Sequence, residues 1–242
     1  MTVGALDAAR ALVRGGVRPD LFCAAGMGDA EAVRACFEPD GRLKPGASRT
    51  GSSRYAPDGT RLPCPPESPR EVVADALYIA CRNAQVAAVP VLLAHDPDLS
   101  FRAFIGGTAL HWAYFGGSRA VVDMLRRAGA DPTLRDGMLR STPKAFGICV
   151  PANWGWTAKV RQRLDEDPGL VDIMDGRGAP LHEAAREGHL DIVKLLMDAG
   201  ADARRQTAEG KTPLDLARER PDHAGCVQVA EWLRERMAAA PA

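Results

Sequence analysis

The sequence predicts an all-α protein, a solenoid of about six helix pairs joined by short hairpin-like loops. The clearest observation is the stretch 178–202, where a Gly-Ala-Pro turn precedes a short helical run that contains Ala184 and Ala185. Gly188 breaks this run, a second run with apolar residues at helical spacing follows, and Gly200 ends it. Two short helices bury little apolar surface alone, so the unit needs copies on both sides. The same turn, small-residue and apolar positions do recur along the chain.

The first half of the chain contains a cap and three copies of this unit. Apolar spacing over 6–18 is typical of a second helix, which predicts an N-terminal cap helix within 1–18. Full helix pairs are expected at 19–37, 71–104 and 105–138. Pro90 lies inside the second helix of the pair at 71–104. Because proline has no N–H to donate, it should kink that helix or mark its first turn.

Residues 38–70 interrupt the array. They contain seven prolines together with several glycines and serines, and they show no helical periodicity. This composition predicts an irregular insertion, solvated and without a packed element of its own. The alternative is a lid or arm that folds over the binding face, anchored by Arg54-Tyr55 and Arg61-Leu62-Pro63.

The second half contains three further helix pairs, expected at 139–175, 176–208 and 209–242. The pair at 139–175 is irregular. Pro151 should end its first helix early, and its apolar run arrives late, which lengthens the loop between its helices. This loop is expected to carry Asn153, Trp154, Gly155 and Trp156. The second helix of the last pair has one charged face, as a C-terminal cap requires.

Six short motifs within 178–202 carry a family resemblance. They are Pro180-Leu181-His182, Ala184-Ala185, Gly188-His189, Ile192-Val193, Leu195-Leu196 and Gly200-Ala201-Asp202. On these residues the chain is similar to the ankyrin-repeat family, and the likeness extends over about 19–237 apart from the insertion. The resemblance implies that His111 and His182 hydrogen-bond to the backbone of neighbouring loops and tie adjacent repeats together. His189 is expected to be structural as well.

Charge and composition argue against several classes of partner. The chain has 31 basic and 31 acidic residues and no basic block, so neither nucleic acid nor an anionic membrane is expected. No apolar segment is long enough to span a membrane, and charges at Asp7, Arg10 and Arg14 interrupt the N-terminus. We therefore expect a cytoplasmic protein. Richness in alanine, arginine and glycine indicates a bacterial source.

Metal and cofactor sites are not expected either. The six cysteines include no C-x-x-C pair, which argues against a zinc site or a disulfide framework. The sequence contains no G-x-S-x-G, no H-E-x-x-H and no phosphate-binding glycine loop. We expect a monomeric scaffold without a cofactor.

The ankyrin resemblance implies a concave surface made of loop tips and the exposed faces of the first helices. Aromatic anchors in its centre with charges at the rim are typical of a protein or peptide site. We therefore expect a non-catalytic binding module. Its partner-binding residues would be Trp112, Phe115, Phe146, Trp154, Trp156, Arg82, Glu183 and Arg186. The alternative is that Phe146 and the two tryptophans of the loop pack beneath the irregular fourth repeat.

An unusual enzyme or a small-molecule sensor is the second hypothesis. Lys144 occupies a position where the other repeats have leucine, and Tyr114 stands where alanine normally lets first helices approach. Together with His111 they would form a polar pocket near Trp112, in which a lysine of perturbed pKa suits acid–base or carbonyl chemistry. The alternative is a first helix rotated by one position, so that Lys144 reaches solvent.

Overall fold

Residues 3–48, 54–56, 60–62 and 68–239 are described by the computed structural model of this protein. These residues form thirteen α-helices and one two-stranded hairpin, so the all-α prediction is confirmed. The helices belong to two compact units, Met1–Met138 (unit 1) and Leu139–Ala242 (unit 2).

Unit 1 contains a leading helix and three helix pairs. Its helices are α1 (Val3–Arg14), α2 (Leu21–Met27), α3 (Ala30–Ala35), α4 (Pro69–Arg82), α5 (Ala88–Leu93), α6 (Ala109–Gly116) and α7 (Arg119–Arg127). Asp20 and Asp29 begin α2 and α3, where each side chain accepts a hydrogen bond from a backbone N–H of the first turn. Helices of six to nine residues are marginal in isolation, so packing against neighbouring repeats holds them.

Helix α4 begins earlier than the sequence pattern indicates. Ser68 and Glu71 form a reciprocal capping box, with the Glu71 N–H 3.3 Å from Ser68 Oγ and the Ser68 N–H 3.1 Å from Glu71 Oε2. Pro69 follows at the first helical position, where its missing donor costs nothing. The helix therefore runs for 14 residues. Asp75 lies buried within it.

Close helix packing in unit 1 depends on small residues. A Cβ atom on Gly116 would lie 2.4 Å from the carbonyl oxygen of Cys81, so only glycine lets α6 approach α4 at this point. Pro90 lies in the first turn of α5, which is one of the two outcomes expected for it. Core residues such as Leu77, Leu92 and Leu110 are fully buried between the repeats.

The described part of the insertion contains two short strands. Strand β1 (Arg54–Tyr55) pairs antiparallel with β2 (Arg61–Leu62), and β1 lies against a 3-10 helix, Phe104–Gly106. Pro63, the last of the expected anchors, lies outside the described residues. The first part of the insertion packs on the first repeat, since the Leu21 N–H donates to the Ala47 carbonyl at 2.8 Å. The prediction of an insertion without its own elements is therefore too simple.

Unit 2 contains the remaining three pairs. Its helices are α8 (Pro143–Asn153), α9 (Thr157–Glu166), α10 (Pro180–Glu187), α11 (Leu190–Asp198), α12 (Pro213–Arg218) and α13 (Ala224–Ala239). Leu181, Ala184 and Ala185 of α10 are buried, as are Ile192, Val193 and Leu196 of α11. In α13, Cys226, Val229 and Leu233 are buried, whereas Glu231, Arg234 and Glu235 are exposed.

The fourth pair departs from the expectation drawn from its proline. Helix α8 does not end at Pro151 but continues to Asn153, which makes it 11 residues long against 8 for α10. The loop that follows consists of Trp154, Gly155 and Trp156 only. A proline near the C-terminal end of a helix removes a single backbone donor and leaves the remaining hydrogen bonds in place. The additional residues of this repeat therefore lengthen the first helix more than the loop.

Candidate binding site

The repeat histidines are capping groups. His111 Nδ1 accepts the Thr108 N–H at 3.1 Å and lies 2.8 Å from its hydroxyl, and both residues are buried. His182 Nδ1 accepts the Ala179 N–H at 3.1 Å, while its Nε2 donates to the Arg205 carbonyl of the next loop at 3.0 Å. Burial lowers the pKa of His182, which favours the neutral ring that these bonds need. The structural role expected for the two histidines agrees with this geometry, and His111 is not placed as a catalytic group.

The fourth repeat has no histidine at this position, and an aspartate from the end of the same repeat takes its place. Ala145 stands where the third, fifth and last repeats have the capping side chains of His111, His182 and Asp215. Asp175 Oδ2 accepts the Thr142 N–H at 2.8 Å and also accepts its hydroxyl. Sequence reasoning missed this residue, because a partner 33 positions away carries no local pattern.

Lys144 lies at the surface. Its side chain is 51% exposed, and its Nζ pairs with Asp167 Oδ2 at 3.1 Å. The lysine is therefore not buried, and the alternative in which it reaches solvent fits the structure. Tyr114 belongs to unit 1 and is half-buried. His111 is engaged at its own helix cap.

The aromatic residues of unit 1 form a core cluster. Trp112 has no exposed surface, and its ring packs edge-on against Tyr78 and Phe115 with centroid distances of 5.3 and 5.1 Å. The Arg82 guanidinium covers this cluster, 5.6 Å from the Trp112 ring. Phe146, in unit 2, is fully buried as well. The prediction that Trp112, Phe115 and Phe146 bind a partner does not fit their burial, because they leave almost no surface for contact.

The tryptophans of the α8–α9 loop are accessible. Trp154 is half-buried, Trp156 is 39% exposed, and their rings meet edge-on with centroids 5.1 Å apart. Gly155 has a φ of +76°, and a Cβ atom there would lie 2.9 Å from the His189 ring. His189 Nε2 in turn donates to the Asn153 carbonyl at 2.9 Å. The Gly-His turn of the fifth repeat thus holds the tryptophan loop, which agrees with the structural role expected for His189.

Glu183, on α10 beside this loop, is a buried carboxylate with an incomplete set of partners. It is 1% exposed, and its Oε2 accepts the Asn153 side-chain N–H at 3.0 Å. Arg177 Nη2 lies 3.4 Å from the same oxygen. Burial raises the pKa of Glu183, against the opposing charges of Arg177 and Arg186. Its other oxygen, Oε1, has no hydrogen-bond donor among the residues that the structure describes.

Arg186, one turn along α10, is half-buried and has no acceptor for its enclosed Nε–H within the described part of the chain. The charged residues near Arg186 form ion pairs with one another. Arg220 binds Glu187 at 2.8 Å, and Lys211 forms an ion pair with Glu219. Unit 2 therefore presents exposed aromatic surface beside guanidinium groups whose positive charge is only partly neutralised by nearby carboxylates.

Other kinds of site find little support in the described residues. They contain no group of three or more His, Cys, Asp or Glu side chains arranged for a metal ion. Nor do they include a helix with the length and apolar character needed to cross a membrane. Two open cavities of about 560 and 530 Å³ lie in unit 1, and neither is lined by a residue of the predicted site.

Comparison with known proteins agrees with the repeat pattern. Residues 65–136 match the family described as ankyrin repeats in three copies, and residues 164–217 match the family of ankyrin repeats in many copies. The two matches together span slightly more than half of the chain. They bracket the irregular fourth pair, most of which lies between them.

Relatives with different names share this region. Tyrosine-protein kinase HTK16 of Hydra vulgaris is 31% identical over 144 residues, which are 58% of this chain and 19% of the kinase. Mitochondrial disaggregase of Bos taurus is 34% identical over 147 residues, 60% of this chain and 21% of the relative. NF-kappa-B inhibitor epsilon of Homo sapiens is 28% identical over 154 residues, which are 60% of this chain and 30% of the inhibitor.

These relatives are eukaryotic, so they give no support to a bacterial source. The chain spans about a fifth of the length of the first two. What the relatives share with it is the repeat array, and ankyrin repeats generally mediate protein–protein interaction. The two family matches and the helix pairs of both units lead to one conclusion: the chain belongs to the ankyrin-repeat family.

Proposed function

We propose that this chain is a non-catalytic binding module that holds a protein or peptide partner on the first-helix side of unit 2. The observation that carries the proposal is the pair Trp154 and Trp156, two large aromatic side chains that remain accessible in a loop held by His189. Rigid aromatic groups bury much area at low entropic cost, which makes them frequent binding hot spots.

The variety of the relatives supports a binding role over a catalytic one. A kinase, a disaggregase and an inhibitor carry the same repeats over a minor part of their length. A segment shared by proteins of such different activities is expected to supply recognition, while the activity lies elsewhere. In this chain we further propose that the module acts as a monomer in the cytoplasm.

The proposed surface differs in composition from the one that the sequence indicates. Trp154, Trp156, Arg177 and Arg186 supply its contact groups, with Glu183 buried beneath the arginines. Arg82 remains a candidate contact in unit 1, because it is half-buried above the aromatic cluster. The buried Trp112, Phe115 and Phe146 support the helices from inside.

Site-directed photo-crosslinking tests the proposal. Benzoylphenylalanine replaces Trp156 in one variant, and in the control it replaces Arg161, an exposed residue on the second helix α9. After irradiation in source-cell extract, the variant at 156 should yield a discrete adduct that the control lacks. The captured partner, once purified, should lose at least tenfold in affinity for Trp156→Ala and keep its affinity for Arg161→Ala, as measured by calorimetry. Equal labelling at both positions, or no adduct at either, would contradict the proposed surface.

A further inference from the structure

We infer that Arg186, together with Arg177, forms a carboxylate-binding site on α10 and that the partner of unit 2 inserts an acidic side chain there. The inference rests on the proposed function and specifies the chemistry of the partner. Its starting point is the arrangement of two arginines around one buried glutamate.

Arg186 is the arginine whose hydrogen-bonding capacity is not fully used within the described part of the chain. Its Nε–H is enclosed by protein atoms and has no acceptor, and no ion pair in the described part of the chain includes it. Because the Nε is enclosed, a ligand can meet this half-buried side chain only through its terminal nitrogens, and no internal acceptor at the Nε offsets the positive charge of the group. A planar guanidinium can bind a carboxylate through two parallel hydrogen bonds.

Arg177 offers the second cationic group. Its side chain is 33% exposed, and its Nη2 lies 3.4 Å from Glu183 Oε2, a long contact for a charge-assisted hydrogen bond. Glu183 shares that oxygen between Arg177 and Asn153 and leaves its Oε1 without a donor. The internal carboxylate therefore neutralises the two arginines only in part, and one positive charge remains.

The surrounding charges favour an acidic group over a basic one. Glu187 and Glu219 are engaged by Arg220 and Lys211, so they are not available to a basic ligand. Lys211 and Arg186 act on each other as like charges, which adds to the positive potential at this site. One net positive charge remains on the two arginines and Glu183, and a single carboxylate is the group that neutralises it.

The Trp154–Trp156 loop supplies the apolar part of the same surface. Asn153, which ends α8 directly before the two tryptophans, donates to Glu183 at 3.0 Å. The expected ligand therefore combines an acidic side chain with a neighbouring aliphatic or aromatic one.

Three acetylated pentapeptide amides serve as probes. They alternate leucine with glutamate, with glutamine or with phosphoserine. In nitrogen-15 NMR spectra, the Nε–Hε signal of Arg186 should shift on addition of the glutamate peptide and stay in place with the glutamine peptide. A stronger response to the phosphoserine peptide would overturn the assignment to a carboxylate, and equal responses to the glutamate and glutamine peptides would overturn the site itself.

Variants sharpen the test. Arg186→Lys keeps the charge but loses the planar fork, so the affinity for the glutamate peptide should fall about tenfold. Glu183→Gln removes the internal competitor at nearly constant shape, so the affinity should rise severalfold. The matched control, Arg161→Lys on α9, should change nothing. An unchanged affinity in Arg186→Lys or a decrease in Glu183→Gln would contradict the inference.

The failure of this inference can be told apart from the failure of the proposed function. A partner that is captured at position 156 but binds Arg186→Lys as tightly as the unmodified chain would refute only the carboxylate site. A peptide response at Arg186 without any capture at position 156 would refute only the proposed binding module.

Discussion

Trp112 in unit 1 and Trp156 in unit 2 are the same side chain in opposite environments. Trp112 lies on α6 opposite α4, so that Tyr78, Phe115 and Arg82 close around it. Trp156 lies in a loop after Gly155 and keeps 39% of its surface exposed. The difference shows that neighbouring repeats, and not the residue type, decide whether an aromatic group on this scaffold serves the core or a partner.

Replacing Trp112 with alanine should have the largest effect on stability. Truncation of a fully buried tryptophan costs about 3–5 kcal/mol of unfolding free energy, because the cavity collapses only in part. Urea denaturation followed by circular dichroism measures this loss. Replacement without a large shift of the midpoint would mean that Trp112 is a surface group, as the repeat pattern alone had indicated.

Replacing Asp175 with alanine should have the next largest effect and should affect unit 2. Removal of a side chain that caps a helix costs about 1–2 kcal/mol, and here the Thr142 N–H and hydroxyl lose their acceptor. Asp175→Asn is the control, since the amide oxygen can still accept one of the two bonds. Hydrogen exchange at Thr142 should accelerate in the alanine variant. Equal exchange in both variants would show that the aspartate does not replace the histidine of the other repeats.

Glu183→Gln should give a smaller effect that depends on pH. Burial raises the pKa of Glu183 above its unfolded value of about 4.3, so the folded chain holds the proton more tightly than the unfolded chain. The stabilisation from this group is fully present below the unfolded pKa and is lost as the pH rises through the folded pKa. At pH 7 the glutamine variant should therefore be at least as stable as the unmodified chain. This advantage should shrink as the pH falls, and a pH-independent difference in unfolding free energy would contradict this account.

Trp156→Ala should have the smallest effect on folding. Trp156 is the N-cap residue of α9, but its side chain makes no capping hydrogen bond, and truncation of an exposed side chain of this kind changes stability by no more than about 0.5 kcal/mol. The same variant should nevertheless lose the partner captured by crosslinking. A stability loss close to that of Trp112→Ala would place Trp156 in the core and remove the contrast between the two tryptophans.

Local patterns in the sequence were sufficient wherever a short segment determined the result. The capping histidines depend on residues within a few positions of one another, whereas the local pattern left Pro90 between a kink and a first-turn position. The start of α4 was missed although Ser68, Pro69 and Glu71 carry a capping signal. That signal lies at the end of the proline-rich segment 38–70, whose composition predicts an irregular insertion and not the start of a helix.

The sequence by itself determined the class of fold, the repeated helix pairs and the family, because repeat spacing, small residues and apolar residues are local properties of the chain. The tertiary structure decided which polar and aromatic groups reach solvent. Lys144 reaches Asp167, Asp175 caps Thr142, and Arg177 meets Glu183. Two of these contacts join residues more than 20 positions apart, where loop geometry and not periodicity sets the distance. Function on this scaffold depends on such contacts, and for that reason the repeat pattern indicated a binding module but not its surface.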